Sequence, residues 1–413
     1  MKRVTSKKEF LSGILRRNNV IKVLLCLVIG MFLTGAIAQL SNMNTADAKQ
    51  NITHPTPKWV TAYYAGWKQN ELRPQDIDYS AITTIVNFAA VPGLKDDPAG
   101  LDLELNQMTP ENTTLLLKVA HSHKTKVLFS VGGAATSKRF RQATNADNLD
   151  DFTTNLVSLM TNDGKGYNGE KYDGIDLDWE PVQDSDRESY KKLVYQLRAK
   201  LNATNPQHPP ILTAAVKEQP ELFAQLQSKF DQINIMTYDL AGNWDDSQLT
   251  WHDSALYNGE FPPEEGRLPS ADSLVKAFMH PGVKANKLGI GIDFYGKKWQ
   301  SYTNQLQKWS KNSQPNVKEL AYADIVRTYY PQATHHWDQK AQAAYLSHDG
   351  SKGDKYFISF DNEKSVSSKI NYVNQQQLGG VIIWELGGGW LPPGAAVRDP
   401  LLQAVKQASR LHK

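Results

Sequence analysis

Short apolar runs alternate along this chain with stretches whose apolar residues recur at helical spacing. The runs predict eight β-strands, at residues 59–67, 83–91, 126–133, 171–180, 211–216, 232–240, 287–295 and 379–386. Helical spacing predicts amphipathic helices at residues 109–122, 148–160, 189–201 and 365–376. Strands that alternate with helices indicate a parallel α/β sheet, and eight such units indicate a closed (β/α)8 barrel, the TIM barrel. The pattern alone leaves an open, doubly wound sheet as the alternative.

The interval between the seventh and eighth predicted strands is too long for a single helix. Residues 296–378 contain a polar stretch, then aromatic-rich segments, and then the apolar run YFISF at Tyr356–Phe360. We therefore predict a small α+β insertion at residues 297–360, within a barrel domain that covers residues 58–413.

The fourth predicted strand, KYDGIDLDWE at Lys171–Glu180, has one acidic face and one apolar face. Asp176, Asp178 and Glu180 occupy every second position, with large apolar residues between them. A rise of about 3.3 Å per residue separates successive acidic Cα atoms by about 6.5 Å. At that spacing Asp178 and Glu180 can share a proton, and their pKa values should split. Since three carboxylates on one face are costly to desolvate, this strand is a candidate functional site.

Two other structures would also place acidic residues at alternate positions. A solvated acidic turn would leave Ile175, Leu177 and Trp179 without a buried place to pack. A calcium-binding loop needs oxygen ligands at alternate positions and a glycine in a sharp turn. Here Gly174 precedes the acidic positions and the intervening residues are large and apolar. The strand interpretation is therefore favoured over both.

The composition is that of a globular protein, with 40% hydrophobic and 22% charged residues in a chain of 413. The formal net charge of +3 has an uneven origin, because residues 1–38 contain seven Lys or Arg and one acidic residue. The rest of the chain has 39 basic and 42 acidic residues, so its net charge is about −3. Nothing in this balance indicates a nucleic acid partner.

The basic leader is followed by a sixteen-residue apolar run, Val23–Ala38. This length is short for a membrane span and suits the core of a signal peptide, with a small-x-small cleavage site at Ala36-Ile37-Ala38. We predict a signal peptide at residues 1–38, a polar linker at residues 39–57 and a secreted protein with no lasting membrane association. An uncleaved signal anchor is the alternative. The single cysteine, Cys26, lies in the apolar run, so the mature chain would contain no disulfide.

The segment DGIDLDWE resembles the D-x-x-D-x-D-x-E signature of the family 18 glycoside hydrolases, the chitinases, and further family blocks extend the similarity from about Trp59 to Trp384. The resemblance implies the (β/α)8 barrel, with residues 297–360 forming one wall of a groove. It also implies hydrolysis of β-1,4 bonds between N-acetylglucosamine units in chitin or chito-oligosaccharides. No metal or nucleotide cofactor is indicated, since the histidines, including His335-His336, lack a ligand spacing.

The resemblance assigns a role to each acid of the ladder. Glu180 would be the general acid that protonates the glycosidic oxygen, which requires a raised pKa. The neighbouring charges of Asp178 and Asp176 would provide that increase. In this family the sugar's own acetamido carbonyl attacks the anomeric carbon and forms an oxazolinium ion. Asp178 would hold the acetamido N–H, and Asp176 would share a proton with Asp178.

Other blocks of the resemblance supply the groove and its support. Met236, Tyr238 and Asp239 fill the M-x-Y-D block on the sixth predicted strand, and Tyr238 would donate its hydroxyl to the acetamido carbonyl. Trp384 would form the floor beneath the distorted sugar. Further positions that match groove-lining residues of the family are Tyr63, Trp67, Phe88 and Trp244. The positions that match supporting motifs are Asp173, Ser130, Gly132 and Gly133, and the glycines would permit close backbone approach.

The chain also departs from the family pattern. Ala134 follows the Gly-Gly pair where many relatives have Trp, so a stacking platform is missing. Asp293 replaces a common Pro, and Lys297 replaces an Arg that often binds sugar. Residues 385–389, ELGGG, replace the usual acidic ending of the last strand. These departures concern the leaving-group side of the groove and its fine specificity.

Two other functions share parts of this pattern. A non-catalytic chitin-binding lectin on the same scaffold usually lacks the terminal acid, whereas Glu180 is present here. An endo-N-acetylglucosaminidase acting on N-glycans would share the whole acid ladder, but the insertion favours a chitinase.

Overall fold

The computed structural model describes residues 58–163, 166–244, 247–259, 268–351 and 354–410. The predicted signal peptide at residues 1–38 and the predicted linker at residues 39–57 lie outside these ranges. Within the described ranges, every helix is too short or too polar to span a bilayer.

Eight parallel strands close into a barrel. These strands are β1 (Trp59–Ala65), β2 (Thr84–Pro92) with its short antiparallel partner β3 (Leu101–Asp102), β4 (Lys126–Gly133), β5 (Gly174–Trp179), β6 (Ile211–Val216), β7 (Gln232–Ile235), β8 (Leu288–Asp293) and β14 (Gly380–Trp384). Neighbouring strands follow the order β1-β14-β8-β7-β6-β5-β4-β2, and the pairing of β1 with β2 closes the ring. The closed barrel confirms the predicted fold class.

The helices of the barrel follow the strands along the chain. They are α1 (Pro110–Ser122), α2 (Ser137–Ala143), α3 (Leu149–Thr161), α4 (Arg187–Thr204), α5 (Pro220–Leu226), α6 (Ala271–Met279), α7 (Glu363–Gln375) and α8 (Pro400–Ser409). Local sequence explains several of their ends. Thr109 caps α1 by accepting a hydrogen bond from the Asn112 N–H at 3.3 Å, and Pro110 starts the helix, where its missing N–H has no cost.

A second sheet forms between β8 and β14. Its five strands are β9 (Tyr295–Gln300), β10 (Val317–Ala321), β11 (Thr334–Asp338), β12 (Ala343–His348) and β13 (Tyr356–Phe360). They pair antiparallel in the order β10-β9-β13-β12-β11. The strand predicted at residues 287–295 is therefore two strands: β8 ends at Asp293, and β9 begins after Phe294 alone. The second sheet starts at Tyr295, two residues before the predicted insertion boundary of 297.

The period-two pattern of β5 separates two environments. Ile175, Leu177 and Trp179 face outward into the layer between strands and helices, where the Trp179 ring stacks on Phe140 with centroids 4.6 Å apart. The acidic side chains of the same strand therefore face the interior of the barrel, as alternation along a strand requires.

Asp173 precedes β5 and ties the opposite end of the barrel together. Its carboxylate accepts hydrogen bonds from the Val127 N–H at 2.8 Å and from Lys126 Nζ at 2.8 Å, and His121 Nε2 lies 3.1 Å away. The other ring nitrogen of His121 contacts Glu170 at 2.7 Å. The hydrogen bond with Asp173 raises the pKa of His121. Burial alone would raise the pKa of Asp173, but its three hydrogen bonds outweigh burial and lower it.

Replacing Asp173 tests this network. Asp173→Ala leaves the buried Val127 N–H without its acceptor, so we expect a loss of about 1–3 kcal/mol in the free energy of unfolding. Because the pKa of Asp173 is lowered in the folded state, its contribution to the free energy of unfolding is fully present above about pH 4. Because the pKa of His121 is raised, its contribution to the free energy of unfolding is fully present below about pH 6.5. The difference between wild type and variant should peak between these values and shrink on either side. Denaturant unfolding across this pH range measures it, with the exposed Asp96→Ala as control; a difference independent of pH would contradict the network.

Candidate active site

A cleft of about 510 Å³ opens at the C-terminal ends of the barrel strands. The residues that line it include Tyr63, Trp67, Phe88, Gly132, Gly133, Ala134, Asp178, Glu180, Met236, Tyr238, Asp239 and Trp384. The structure thus brings together, from six strands and the segments after them, most of the residues that the sequence singled out.

Asp176 lies beneath the cleft and is fully buried. Parallel pairing places Ser130 of β4 and Thr213 of β6 on either side of it. Its carboxylate accepts hydrogen bonds from the Thr213 hydroxyl at 2.5 Å, the Tyr63 hydroxyl at 3.0 Å and the Ser130 hydroxyl at 3.0 Å. Burial raises the pKa of Asp176, and these three donors oppose the increase.

Asp178 and Glu180 form a hydrogen-bonded pair of carboxyl groups at the floor of the cleft. Burial, followed by the charges of Glu180 and Asp176, raises the pKa of Asp178 well above its usual range. Burial raises the pKa of Glu180 to about 7. Since both pKa values are raised and two carboxylates cannot hydrogen-bond without a proton, the arrangement favours one proton held between them near neutral pH.

The origin of the raised pKa of Glu180 differs from the sequence expectation. The charge of Asp178 was expected to raise it, with Asp176 below. In the structure, burial has the largest effect, and the hydrogen bond with Asp178 acts in the opposite direction. The charges that raise the pKa belong to Glu218 and Asp239, whereas the charge of Lys217 lowers it.

Gly132 makes room for the acid ladder. Its φ of +126° is unfavourable for other residues, and an added Cβ would lie 1.9 Å from the carbonyl oxygen of Asp178. Gly133 has a φ of +103°, and its Cβ would lie 2.9 Å from the ring of Phe88. The S-x-G-G block therefore supplies one hydroxyl to Asp176 and close packing against β5 and Phe88.

Tyr238 reaches the cleft from the segment after β7. The strand predicted at residues 232–240 ends at Ile235, so Met236, Tyr238 and Asp239 follow the strand instead of lying on it. The chain turns away from the barrel there, because the Thr237 N–H donates to the Ile235 carbonyl at 2.9 Å, and further on the Leu240 N–H donates to the Asp253 carbonyl at 2.9 Å. Burial raises the pKa of Tyr238 well above its usual range, so its hydroxyl remains a donor.

The absence of a side chain at Gly291 provides the space for Tyr238. A Cβ at this position of β8 would lie 2.6 Å from two carbons of the Tyr238 ring. Tyr238 is therefore confined between β8 and the acid ladder, with its polar end at the cleft.

Aromatic rings form the remaining floor and one side. Trp384, at the end of β14, lies with its ring centroid 4.6 Å from Phe88 and 5.7 Å from Tyr63. Trp67 is 37% exposed and contacts Phe88 edge to face at 5.9 Å. Such rings present flat apolar faces to a ligand that carries C–H groups.

Trp244 and Lys297 differ from their sequence expectations. The structure does not place Trp244 among the residues that line the cleft: its side chain is 61% exposed, and its ring lies 4.5 Å from Lys297 Nζ. Lys297 is 5% exposed and forms ion pairs with Asp239 and, at 3.0 Å, with Asp253. Its ammonium group is therefore held by two carboxylates instead of being presented to the cleft.

Sequence reasoning missed several residues of the site. Thr213 could have been found, because it occupies an inward position of the alternating strand ILTAAV. Lys217 follows the end of β6, and its Nζ donates to the carbonyl of Asp239 at 2.8 Å; its position after a barrel strand was a usable signal. Glu319 lines the cleft from β10 of the second sheet, and no local pattern announces that placement.

The chain is similar in sequence to known proteins. Residues 60–389 match the family described as glycosyl hydrolases family 18. Chitinase 1 of Aphanocladium album is 30% identical over 283 residues, which cover 66% of this chain and 63% of that protein. Chitinase A1 of Niallia circulans is 30% identical over 327 residues, which cover 71% of this chain and 43% of that protein. The chain thus spans less than two thirds of the length of either relative.

Solved structures show the same fold at lower identity. The family 18 chitinase of Cycas revoluta, solved in complex with (GlcNAc)3, is 20% identical, with a TM-score of 0.69. The match covers 85% of this chain and 99% of that one.

Two substitutions beside the ladder should move the pKa of Glu180 in opposite directions. Glu218→Gln removes a negative charge that raises this pKa, so the pKa should fall; Lys217→Met removes a positive charge, so the pKa should rise. Isotope-edited NMR titration of the Glu180 carboxyl group measures both shifts. Glu221→Gln, a change of the same kind on α5, is the control. Shifts of the same sign in the two variants would contradict the assignment, and added salt should reduce both shifts.

Proposed function

The chain belongs to family 18 of the glycosyl hydrolases, and from this we propose that it is a chitinase that cleaves β-1,4 bonds between N-acetylglucosamine units by substrate-assisted, retaining catalysis. The substrates are chitin or chito-oligosaccharides. The curated relatives that support this activity are named chitinases, and the Cycas revoluta enzyme of the same fold binds (GlcNAc)3.

The observation that carries the proposal is the pair of buried carboxyl groups, Asp178 and Glu180, that lines an aromatic cleft. A general acid must hold a proton near the operating pH and must reach the substrate. Burial raises the pKa of Glu180 to about 7, and its side chain lines the cleft. The proposed chemistry uses these two carboxyl groups and the acetamido group of the substrate.

The first step of the proposed reaction breaks the glycosidic bond. Glu180 gives its proton to the glycosidic oxygen, and the acetamido carbonyl oxygen bonds to the anomeric carbon as the leaving sugar departs. The product is an oxazolinium ion bound in the cleft. Asp178 accepts the acetamido N–H and stabilises the positive charge, and the hydrogen-bonded Asp176 keeps negative charge beneath it.

The second step returns the enzyme to its starting state. Glu180, now a carboxylate, takes a proton from a water molecule, and the water oxygen bonds to the anomeric carbon as the oxazolinium ring opens. Two displacements at the same carbon retain the β configuration. The acetamido group is thereby restored, and Glu180 is protonated for the next turnover.

Tyr238 and Trp384 orient the reacting sugar. The Tyr238 hydroxyl donates a hydrogen bond to the acetamido carbonyl oxygen and aims it at the anomeric carbon. The Trp384 ring packs against the C–H face of the sugar, supported by Phe88 and Tyr63. Both residues therefore act on the reactive geometry, and their loss should affect kcat more than KM.

We further propose that the enzyme acts outside the cell. The basic leader and the apolar run Val23–Ala38 have the pattern of a signal peptide. Secretion would bring the cleft to a polymeric substrate, and N-terminal sequencing of the protein recovered from the medium tests this proposal.

Product release from N-acetylglucosamine oligomers of graded length tests the reaction and the acid together. We expect the wild-type protein to cleave them, and Glu180→Gln to lose about 10²–10⁴-fold in kcat because it cannot donate the proton. Glu188→Gln, at an exposed ion pair with Lys191, is the matched control and should keep full activity.

The outcomes of this assay separate the candidate functions. Binding without cleavage by either protein would support a lectin and contradict the chitinase. Release of glycans from a glycoprotein, with chitin oligomers left intact, would indicate an endo-N-acetylglucosaminidase.

The pH profile gives a second test. Since Glu180 must be protonated in the free enzyme, kcat/KM should fall by about tenfold per pH unit above about pH 7. Glu218→Gln lowers the pKa of Glu180, so this limb should move to lower pH. If the NMR titration shows a lower pKa for Glu180 in Glu218→Gln but the alkaline limb of kcat/KM does not move, the limb belongs to another group.

A further inference from the structure

A chain of charged side chains, buried except at its first member, leads from the cleft into the interface between the barrel and the second sheet. Its first member is Asp239, which lines the cleft next to Tyr238. Lys297 of β9 forms ion pairs with Asp239 and, at 3.0 Å, with Asp253. Asp253 is fully buried. Lys297 and Asp253 therefore connect Asp239 at the cleft to the interior of the protein.

The inner end of the chain is formed by Lys369 of α7, which is also fully buried. Its Nζ forms an ion pair with Asp361 and lies 3.5 Å from Asp293 Oδ1, at the end of β8. The same nitrogen donates to the Ser254 hydroxyl at 2.5 Å. Helix α7 is thus connected to β8 and to the segment that follows Asp253.

Asp253 and Asp293 join the two halves. The Asp293 carboxyl group lies within hydrogen-bonding reach of the carboxyl groups of Asp253 and Asp361, and all three side chains are buried. Asp253 Oδ2 and Asp293 Oδ2 have no donor among the described residues. A contact of this kind requires a proton between the two oxygens. Burial raises the pKa of Asp253 to about 6 and that of Asp293 well above its usual range.

The charges around this pair support the same conclusion. The facing groups are Asp239, Lys297, Asp361, Lys369 and the hydroxyl of Tyr295, whose pKa is raised well above its usual range by burial and by the carboxylates. Four carboxyl groups thus meet two ammonium groups. An uncompensated buried charge costs several kcal/mol in the free energy of folding, so a bound proton is the favourable state.

The network holds the segment that carries Tyr238 from both sides. The Ser254 hydroxyl donates to the Thr237 carbonyl at 2.6 Å, just before Tyr238. The Leu240 N–H donates to the Asp253 carbonyl at 2.9 Å, just after Asp239. A shift of Asp253 or Ser254 would therefore be transmitted directly to the backbone on either side of Tyr238.

We propose that Asp253 and Asp293 share one proton and act as positioning residues, which fix Tyr238 and Asp239 at the cleft through Lys297, Ser254 and the backbone of residues 237–240. The proposed positioning of the reaction rests on the proposed function, whereas the shared proton does not. Neither carboxyl group lines the cleft, so both act through other residues.

Two substitutions of Asp293 distinguish the effect of the shared proton from the effect of side-chain packing. Asp293→Asn keeps a neutral side chain with N–H donors toward Asp253 and Asp361, so kcat should stay within about threefold of wild type. Asp293→Leu fills a similar space without a donor and leaves Asp253 Oδ2 buried without a partner, while Asp253 Oδ1 keeps its ion pair with Lys297. We expect it to lose about 10²-fold in kcat, with a smaller change in KM, because a small displacement of Tyr238 misaligns the reacting group. Asp324→Asn, at an exposed ion pair with Arg327, is the matched control and should change neither constant.

Two further measurements test the proton without using activity. In the Glu180→Gln background, which removes the Glu180 carboxyl group, infrared difference spectroscopy should show a protonated, buried carboxyl band, and this band should be lost when Asp293→Asn is added. Denaturant unfolding should show that Asp293→Asn gains stability relative to wild type as the pH rises. The sign follows because a raised folded pKa stabilises at low pH and the benefit is lost as the pH rises through it, whereas Asn never has to lose a proton.

Each outcome decides the proposal. Wild-type kcat in Asp293→Leu would overturn the positioning role, and an equal loss in Asp293→Asn and Asp293→Leu would overturn the neutral, proton-holding state. An infrared band that is unchanged when Asp293→Asn is added to Glu180→Gln would show that these groups hold no shared proton. If wild type cleaves no oligomer at all, the proposed function fails, and the infrared and unfolding measurements still test the pair.

Discussion

The burial of acidic side chains inside a closed barrel is the constraint on which the rest of this structure depends. Asp176 and Asp178 are fully or almost fully removed from solvent, and an unpaired carboxylate in such surroundings is strongly disfavoured. The fold meets this cost in two ways. Three hydroxyl groups donate to Asp176, and the raised pKa values of Asp178 and Glu180 favour a protonated carboxyl group over two buried charges. The burial that raises the pKa of Glu180 to about 7 also makes it suitable as an acid near neutral pH.

Small residues around the ladder serve the same requirement. Gly132 lets β4 approach the backbone of Asp178, and Gly291 leaves the space that Tyr238 fills. Without these close approaches the ladder would be partly solvated and its pKa values would move toward their ordinary range. The glycines, the hydroxyl donors and the acids therefore depend on one another, and the proposed reaction requires that water be excluded from around the acids.

The second sheet also buries acidic side chains, and there their charge is balanced in a different way. Its interface with the barrel buries Asp253 and Asp293, and here Lys297 and Lys369 balance part of the charge. Lys297 connects β9 to the segment after β7, and Lys369 connects α7 to the end of β8. The sequence departs from the family pattern at Asp293, which ends β8, and at Lys297 of β9. The structure places both residues in a single network.

What the sequence alone determined was periodic and local. Period-two alternation in β5 placed Ile175, Leu177 and Trp179 opposite the acids, and alternating strands and helices indicated the barrel; the family blocks named the ladder, Tyr238 and Trp384. Only the tertiary structure decided that burial, more than the charge of Asp178, raises the pKa of Glu180. It also decided that Trp244 covers Lys297 and that Glu319 enters the cleft from β10. Desolvation and contacts between distant segments depend on which surfaces meet in three dimensions, and no spacing along the chain encodes them.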